Sequence, residues 1–167
     1  MASKVTKHTH MENATALANR FREVILNGKW IANTNFKDQL DQTALAQATQ
    51  LIGPHNSIAL LTFHINYYVA GILNVFEGGE LEIRDKFSFD MPPPETEGDW
   101  EQMKTTLYTN AEKFAAHVER LSPEQLDAVF VKEAYGTFRR NIEAMIEHSY
   151  YHLGQVSLLR KLTQQAG

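Results

Sequence analysis

The sequence predicts an all-α protein, an antiparallel four-helix bundle with a long loop between the second and third helices. Four stretches repeat apolar residues at helical spacing, and the second and fourth of these are the most apolar. No stretch carries enough strand signals for a sheet. A length of 167 residues corresponds to one domain, residues 1–167, in which the polar and aperiodic residues 1–10 form a loose lead-in.

The first predicted helix begins at Glu12 and ends at Asn27-Gly28, a pair that acts as a stop signal. Its apolar residues fall at helical spacing and are Leu17, Phe21, Val24 and Ile25. Residues 30–41 then read as a connector with one loose turn, and residues 43–51 as a short helical segment.

The second predicted helix covers residues 57–76, after a Gly53-Pro54 turn and a cap supplied by Asn56 or Ser57. It is apolar on nearly all sides, which indicates burial on several faces. Residues 80–98 follow as a long loop that contains three consecutive prolines at positions 92–94, and loops of this length are usually functional or mobile. We expect its aromatic residues to pack back onto the helices.

The third predicted helix covers residues 100–120 and is capped by Asp99. A short helix follows from Ser122 to Ala128, with a proline in its first turn, and then a loop over residues 129–136. The fourth helix covers residues 137–163, which is roughly 40 Å at 1.5 Å per residue.

The composition excludes several classes of protein. Sixteen basic against twenty acidic residues give a net charge of -4, which argues against a nucleic-acid partner. The lack of cysteine excludes disulfides, thiolate metal sites, iron–sulfur clusters and a cysteine nucleophile. No apolar run approaches the roughly 20 residues of a membrane span, and residues 1–10 have no apolar signal-peptide region. We therefore expect a cytoplasmic protein without a membrane partner.

Three histidines form the strongest candidate site. His148 and His152 are four residues apart on the fourth helix, so both imidazoles project from nearly one face, about 6 Å apart along the axis. His64 lies in the middle of the apolar second helix, where a buried imidazole without a partner would cost roughly 1–3 kcal/mol. If the two helices are neighbours, the three imidazoles meet and bind one metal ion with at least one position open, as in catalytic centres.

Another interpretation of the three histidines stays open, and other residues are also considered. The imidazoles could instead be core residues whose hydrogen-bond partners are Tyr150, Tyr151 or Gln155. The remaining histidines are interpreted as solvated or ordinary structural residues: His8, His10, His55 and His117. Glu147 and Tyr151 adjoin the candidate ligands and could orient them, although solvated or core positions are the simpler interpretation.

Two well-known metal-site patterns do not fit. A zincin protease needs Glu directly after the first histidine, where this chain has Ser149. A di-iron bundle needs a Glu three residues before a histidine, and the chain has none. Three nitrogen ligands favour a single divalent ion, zinc or nickel ahead of iron or copper.

Two segments resemble the DinB-like (YfiT-like) superfamily of metalloproteins. These are His64 within Leu-Leu-Thr-Phe-His-Ile and the run His148-Ser-Tyr-Tyr-His152-Leu-Gly-Gln155 on the last helix. The resemblance extends over residues 15–163 and implies an up-down-down-up four-helix bundle, frequently dimeric. It also implies a divalent metal, often nickel or zinc, held by one histidine of the second helix and two of the last, which are His64, His148 and His152.

Two hypotheses for the function remain open, of which the first follows from the resemblance. Some members of the superfamily resemble thiol-dependent S-transferases or isomerases that use bacillithiol, mycothiol or glutathione. The first hypothesis is therefore a metal-dependent transferase that joins a low-molecular-weight thiol to a small electrophile. The second is a non-catalytic dimeric bundle with a structural metal or hydrogen-bonded core histidines. Apolar residues on or near the first and third helices favour a homodimer: Ile31, Phe36, Trp100, Tyr108 and Phe114.

Overall fold

The structure is a computed structural model that describes residues 13–165. This part of the chain contains seven α-helices. The first, α1, covers residues 13–27, and its last turn, Glu23–Asn27, is π-helical. The others are α2 (Phe36–Leu40), α3 (Leu45–Thr49), α4 (Ile58–Phe76), α5 (Glu97–Arg120), α6 (Pro123–Asp127) and α7 (Phe138–Gln165). The predicted lead-in, residues 1–10, and the predicted start at Glu12 lie outside the described residues.

The all-α prediction is confirmed, because residues 13–165 contain no strand and only one isolated bridge, between Val129 and Thr137. The long helices α1, α4, α5 and α7 correspond to the four predicted ones. Helix α4 packs most extensively against α5 and also contacts α7, while α1 contacts both α5 and α7. The up-down-down-up order of the bundle stays a prediction.

The core lies where these four helices face one another. All four apolar residues predicted for the inner face of α1 are buried, and the rings of Phe21 and Phe114 lie 4.4 Å apart. Trp100 is fully buried, and its indole N–H donates to the carbonyl of Thr43 at 2.8 Å, so its one polar group is satisfied. Each fully buried side chain of this size contributes roughly 1.5–3 kcal/mol of transfer free energy.

This core changes the grounds for expecting a homodimer. Phe36, Trp100 and Phe114 are 0% exposed, so they stabilise the chain itself and offer no surface to a partner. Of the residues behind that expectation, Ile31 is exposed at 60%. The sequence indicated apolar residues beyond a single face of each helix, and in the structure most of these residues are buried between helices of the same chain.

One described helix is long and apolar enough to cross a membrane. Helix α4 has 19 residues, so the expectation that no apolar run approaches membrane length was wrong for this segment. Its few polar residues are separated by long aliphatic and aromatic ones. Half of the helix is buried within the protein, and a core helix passes the same length and composition test.

Helix α5 begins earlier than the sequence predicted. Its cap is Thr96, not Asp99, and Asp99 occupies the third helical position of a capping box. The Thr96 hydroxyl accepts from the amide of Asp99 at 3.1 Å, and the Asp99 carboxylate accepts from the amide of Thr96 at 2.9 Å. Reciprocal bonds of this kind satisfy two otherwise unpaired amides, which explains why the helix starts at Glu97.

We expect Thr96→Ala to lower the free energy of unfolding by about 1 kcal/mol, which is about 2–4 °C in unfolding temperature. The substitution removes the hydroxyl that caps α5 and leaves the first-turn amide of Asp99 to water. Thermal unfolding followed by circular dichroism measures the change. The control is Thr105→Ala on the exposed face of the same helix. Equal stability of the two variants would contradict the capping argument.

The loop between α4 and α5 returns to α4, as expected from its aromatic residues. It leaves at Gly78, whose φ of 91° suits glycine. Ile83 then packs directly on Gly71, where an added Cβ would clash with the Ile83 side chain. After a single 3₁₀ turn at Asp85–Phe87, the loop brings residues 88 and 89 against the middle of α4. Loop and helix therefore meet at the level of His64.

Candidate metal centre

Helices α4 and α7 bring the three predicted histidines together. His64 comes from α4, and His148 and His152 lie one turn apart on α7. The Nε2 atom of His148 lies 3.1 Å from Nε2 of His64 and 2.8 Å from Nε2 of His152. One ring nitrogen from each residue lies within 4.8 Å of the other two, so the cluster could hold a metal ion.

Burial keeps these imidazoles neutral at pH 7. His64 is 5% exposed, His152 is 6% exposed and His148 is half-buried. Burial disfavours the charged form and lowers the pKa of all three, that of His148 to about 4. The neighbouring imidazoles lower the pKa of His148 further. Each ring therefore keeps an unprotonated nitrogen, which is the form that binds metal.

Two oxygen acceptors fix which nitrogen of each outer ring carries the proton. Nδ1 of His64 donates to the carbonyl of Ser88 at 3.1 Å, and Nδ1 of His152 donates to Oε1 of Gln155 at 2.7 Å. These oxygens can only accept, so the proton sits on Nδ1 and the lone pair sits on Nε2. Histidines that bind metals are commonly held by such a bond on the second nitrogen.

The result is an excess of lone pairs that a cation would satisfy. Nε2 of His148 lies between two acceptors, and a neutral imidazole can offer at most one hydrogen there. Ligand nitrogens about 2.1 Å from a common ion are about 3.0–3.4 Å apart at angles between 90° and tetrahedral. The observed separations of 3.1 and 2.8 Å are within a few tenths of an ångström of this range. The two separations from His148 therefore suit a shared divalent ion, and since all three nitrogens lie within 4.8 Å of one another, the cluster could hold one.

Aromatic rings enclose the cluster on the side of α4. Phe89 stacks on the ring of His64, with centroids 3.9 Å apart and planes 10° from parallel. Tyr68 presents its edge to His64 and His148 at centroid distances of 5.1 and 5.3 Å. These contacts hold the imidazoles in one orientation and keep water from that face.

A cavity of about 320 Å³ adjoins the cluster at His148. Its wall is largely apolar and comes from α4, α7, the loop after α4 and the loop before α7. The lining residues are Tyr68, Ile72, Leu81, Ile83, Asp85, Phe130, Tyr135, Asn141, Ala144, Met145 and His148. A small molecule in this cavity would lie against one of the three candidate ligands.

Among the described residues, the other histidines considered from the sequence, and Glu147 and Tyr151, add no ligand to the cluster. His55 is in an exposed turn, and His117 faces Glu77 at 3.8 Å; His8 and His10 lie outside the described residues. Glu147 pairs with Arg140 at 3.1 Å, and Tyr151 is 65% exposed with its ring against that of His152. Neither acts as the oxygen acceptor of an imidazole.

Sequence reasoning missed two contributors and undervalued a third. Nothing in the sequence marks Ser88, because it acts through its main-chain carbonyl. The loop aromatics were expected only to pack on the helices, so the stacking of Phe89 on His64 was not predicted. Gln155 was considered as a hydrogen-bond partner of the histidines in a protein without metal, and not as a residue that orients a metal ligand. Its position three residues after His152, within one helical turn, was the available signal.

We expect the metal-free protein to lose about 1–2 kcal/mol of stability between pH 7.5 and pH 4.5 through the His148 site. The folded-state pKa of His148 is about 4 against an ordinary 6.5, so the unfolded chain binds more protons between these values. Stability is then complete above pH 6.5 and falls as the pH drops. Urea unfolding in the presence of a chelator measures it. His148→Gln should reduce the loss and His117→Gln should not; equal losses in both variants would contradict the assignment.

The sequence model of the DinB superfamily matches residues 10–156 of this chain, which includes all three histidines. Comparisons with curated proteins and with solved structures find no match.

Proposed function

The chain belongs to the DinB superfamily, and on that basis we propose that it is a divalent-metal-dependent enzyme whose ion is held by His64, His148 and His152. The observation that carries the proposal is the convergence of three neutral Nε2 atoms beside a cavity. Three protein ligands are typical of catalytic zinc sites, whereas structural sites usually have four. Nickel or zinc suits a set of imidazole ligands.

The finer proposal is a transferase that joins a low-molecular-weight thiol to a small electrophile. A divalent ion in this position would supply Lewis acidity, which lowers the pKa of a thiol or of water. The chain contains no cysteine, so the sulfur must come from a substrate. The Ser88 carbonyl and the side-chain oxygen of Gln155 keep two of the imidazoles deprotonated at Nε2, because each accepts a hydrogen bond from Nδ1. The apolar cavity wall at Ile72, Leu81 and Ile83 suits a small electrophile.

Elemental analysis tests the metal site. Protein purified without nickel resin should contain about one equivalent of a divalent transition metal, and His152→Ala should contain almost none. His117→Ala, a histidine variant outside the cluster, should retain the metal. A metal-free wild-type protein, or an unchanged content in His152→Ala, would end the proposal.

Thiol consumption tests the activity separately. A reaction between a small thiol and an alkylating electrophile should be faster with the wild-type protein than with His152→Ala at equal concentration. If the metal is present and this rate is the same in both, the alternative of a non-catalytic bundle with a structural metal is favoured. A chelator should then unfold the protein rather than only inactivate it.

We also propose that the protein forms a homodimer. The exposed apolar residues of α7 support this, since Tyr151, Leu158 and Leu162 are 65%, 58% and 38% exposed and their spacing of seven and four residues places them on one face of the helix. Light scattering coupled to size exclusion gives the mass directly. A mass of 19.0 kDa at high protein concentration would refute the dimer.

A further inference from the structure

The cavity beside His148 has an uneven distribution of charge. Among the described residues that line it, Asp85 is the one charged side chain. Lys86 lies over the ring of Phe87, and Lys132 lies over the ring of Tyr135; neither lysine lines the cavity. Asp85 also forms no ion pair within residues 13–165. The cavity therefore has, on its solvent-exposed side, a carboxylate without an ion pair.

The side chains that line the cavity have mainly hydrogen-bond acceptors left unused, because most of their donors already bond within the protein. The hydroxyl of Tyr68 donates to Oδ1 of Asp85 at 2.9 Å, so that hydrogen is already used and Oδ2 remains available. The side-chain amide of Asn141 donates to the carbonyls of Tyr135 and Thr137 at 2.7 and 2.8 Å, which leaves its own oxygen as an acceptor. The remaining donors of the neutral lining side chains are the hydroxyl of Tyr135 and the single N–H of the His148 imidazole. A ligand with several N–H donors would match this wall.

The rest of the wall suits the body of such a ligand. Ile72, Leu81 and Ile83 provide aliphatic surface, and the rings of Tyr68 and Phe130 provide faces that attract cations. Tyr68 also connects the two ends of the cavity, because its hydroxyl bonds to Asp85 while its ring lies 5.3 Å from that of His148. One small molecule could therefore contact Asp85 at one end and the histidine cluster at the other.

We propose that Asp85 is a specificity-determining residue of this cavity and that the substrate bound there carries an ammonium group on a small apolar body. The ammonium group pairs with Asp85, and the reacting group of the substrate faces His148. Calling the ligand a substrate rests on the proposed function; the preference for an ammonium group rests on the cavity alone. Small carboxylates are disfavoured because Asp85 repels them.

Binding of three matched probes tests this preference. The probes 2-phenylethylammonium, 2-phenylethanol and 3-phenylpropionate share one apolar body and differ in charge. Titrations of the protein as purified, followed by NMR, should show the ammonium probe binding about tenfold more tightly than the carboxylate probe. Asp85→Asn, whose amide oxygen still accepts from Tyr68, should weaken ammonium binding about fivefold.

Two controls keep the result interpretable. Asp90→Asn removes a carboxylate from the same loop outside the cavity lining and should leave all three affinities unchanged. Asp85→Glu keeps the charge and should keep the preference, which guards against an Asn variant that misfolds. Equal binding of the ammonium and carboxylate probes, or an Asp85→Asn protein with unchanged affinities, would overturn the proposal. Because the expected preference depends on the charge of Asp85, the titrations test it whether or not elemental analysis finds a metal.

Discussion

Zn²⁺ at a free concentration of about 100 times its Kd is expected to raise the unfolding temperature by about 5–10 °C, which corresponds to about 2.7 kcal/mol. The ion binds three imidazoles that only the folded chain brings together, since His64 and His148 are 84 residues apart in sequence. In the unfolded chain His148 and His152 stay close because they are four residues apart in sequence, but His64 does not, so the metal ion binds far more weakly. Thermal unfolding with added zinc, compared with excess chelator, measures the shift.

His148→Ala should abolish this stabilisation. His148 lies between the other two imidazoles, and its removal leaves two ligands without the central one. His117→Ala is the matched control and should show the full zinc-dependent shift. A shift that persists in His148→Ala would place the ion elsewhere, and a wild-type protein that zinc does not stabilise would refute metal binding by the cluster.

Gln155→Ala is expected to weaken metal binding about 10- to 100-fold, although Gln155 offers no ligand itself. Its Oε1 accepts from Nδ1 of His152 at 2.7 Å and so holds the lone pair of that ring on Nε2. Without it, His152 can rotate or place its proton on Nε2. Competition with a chromophoric chelator gives the Kd.

The replacement Gln155→Glu separates orientation from simple packing. A carboxylate accepts the same hydrogen bond and adds negative charge, so Gln155→Glu should bind metal at least as tightly as the wild type. Gln164→Ala, an exposed glutamine of the same helix, should change nothing. If Gln155→Ala leaves the Kd unchanged, the hydrogen bond does not orient His152 for a metal.

The fold was largely predictable because its helices are marked by local chemistry. Apolar spacing identified α1, α4, α5 and α7, and Ser122 and Pro123 identified the start of α6. The start of α5 was misplaced by three residues, since a Thr followed three residues later by Asp was not recognised as a capping box. The five-residue α2, capped by Asn35, was read only as a loose turn because so short a helix has little periodicity.

The site was predictable only where it lies on helices. The spacing of His148 and His152 and the apolar setting of His64 depend on helix geometry, and the structure brings the three together. The contributions of the loop after α4 depend on its path back to α4. That path is set by contacts such as Ile83 on Gly71 and the bonds between the Tyr67 hydroxyl and the backbone of Arg84, which no local pattern specifies.

The bond from His64 to the carbonyl of Ser88 has a consequence for how this protein can diverge. Every amino acid has such a carbonyl, so position 88 can change among small residues over generations without loss of the acceptor. Its spatial position depends instead on the number of residues between Gly78 and Thr96. An insertion or deletion there would shift the carbonyl away from the imidazole. Selection should therefore conserve the length of this segment, while no conserved residue type at position 88 would mark the hydrogen bond.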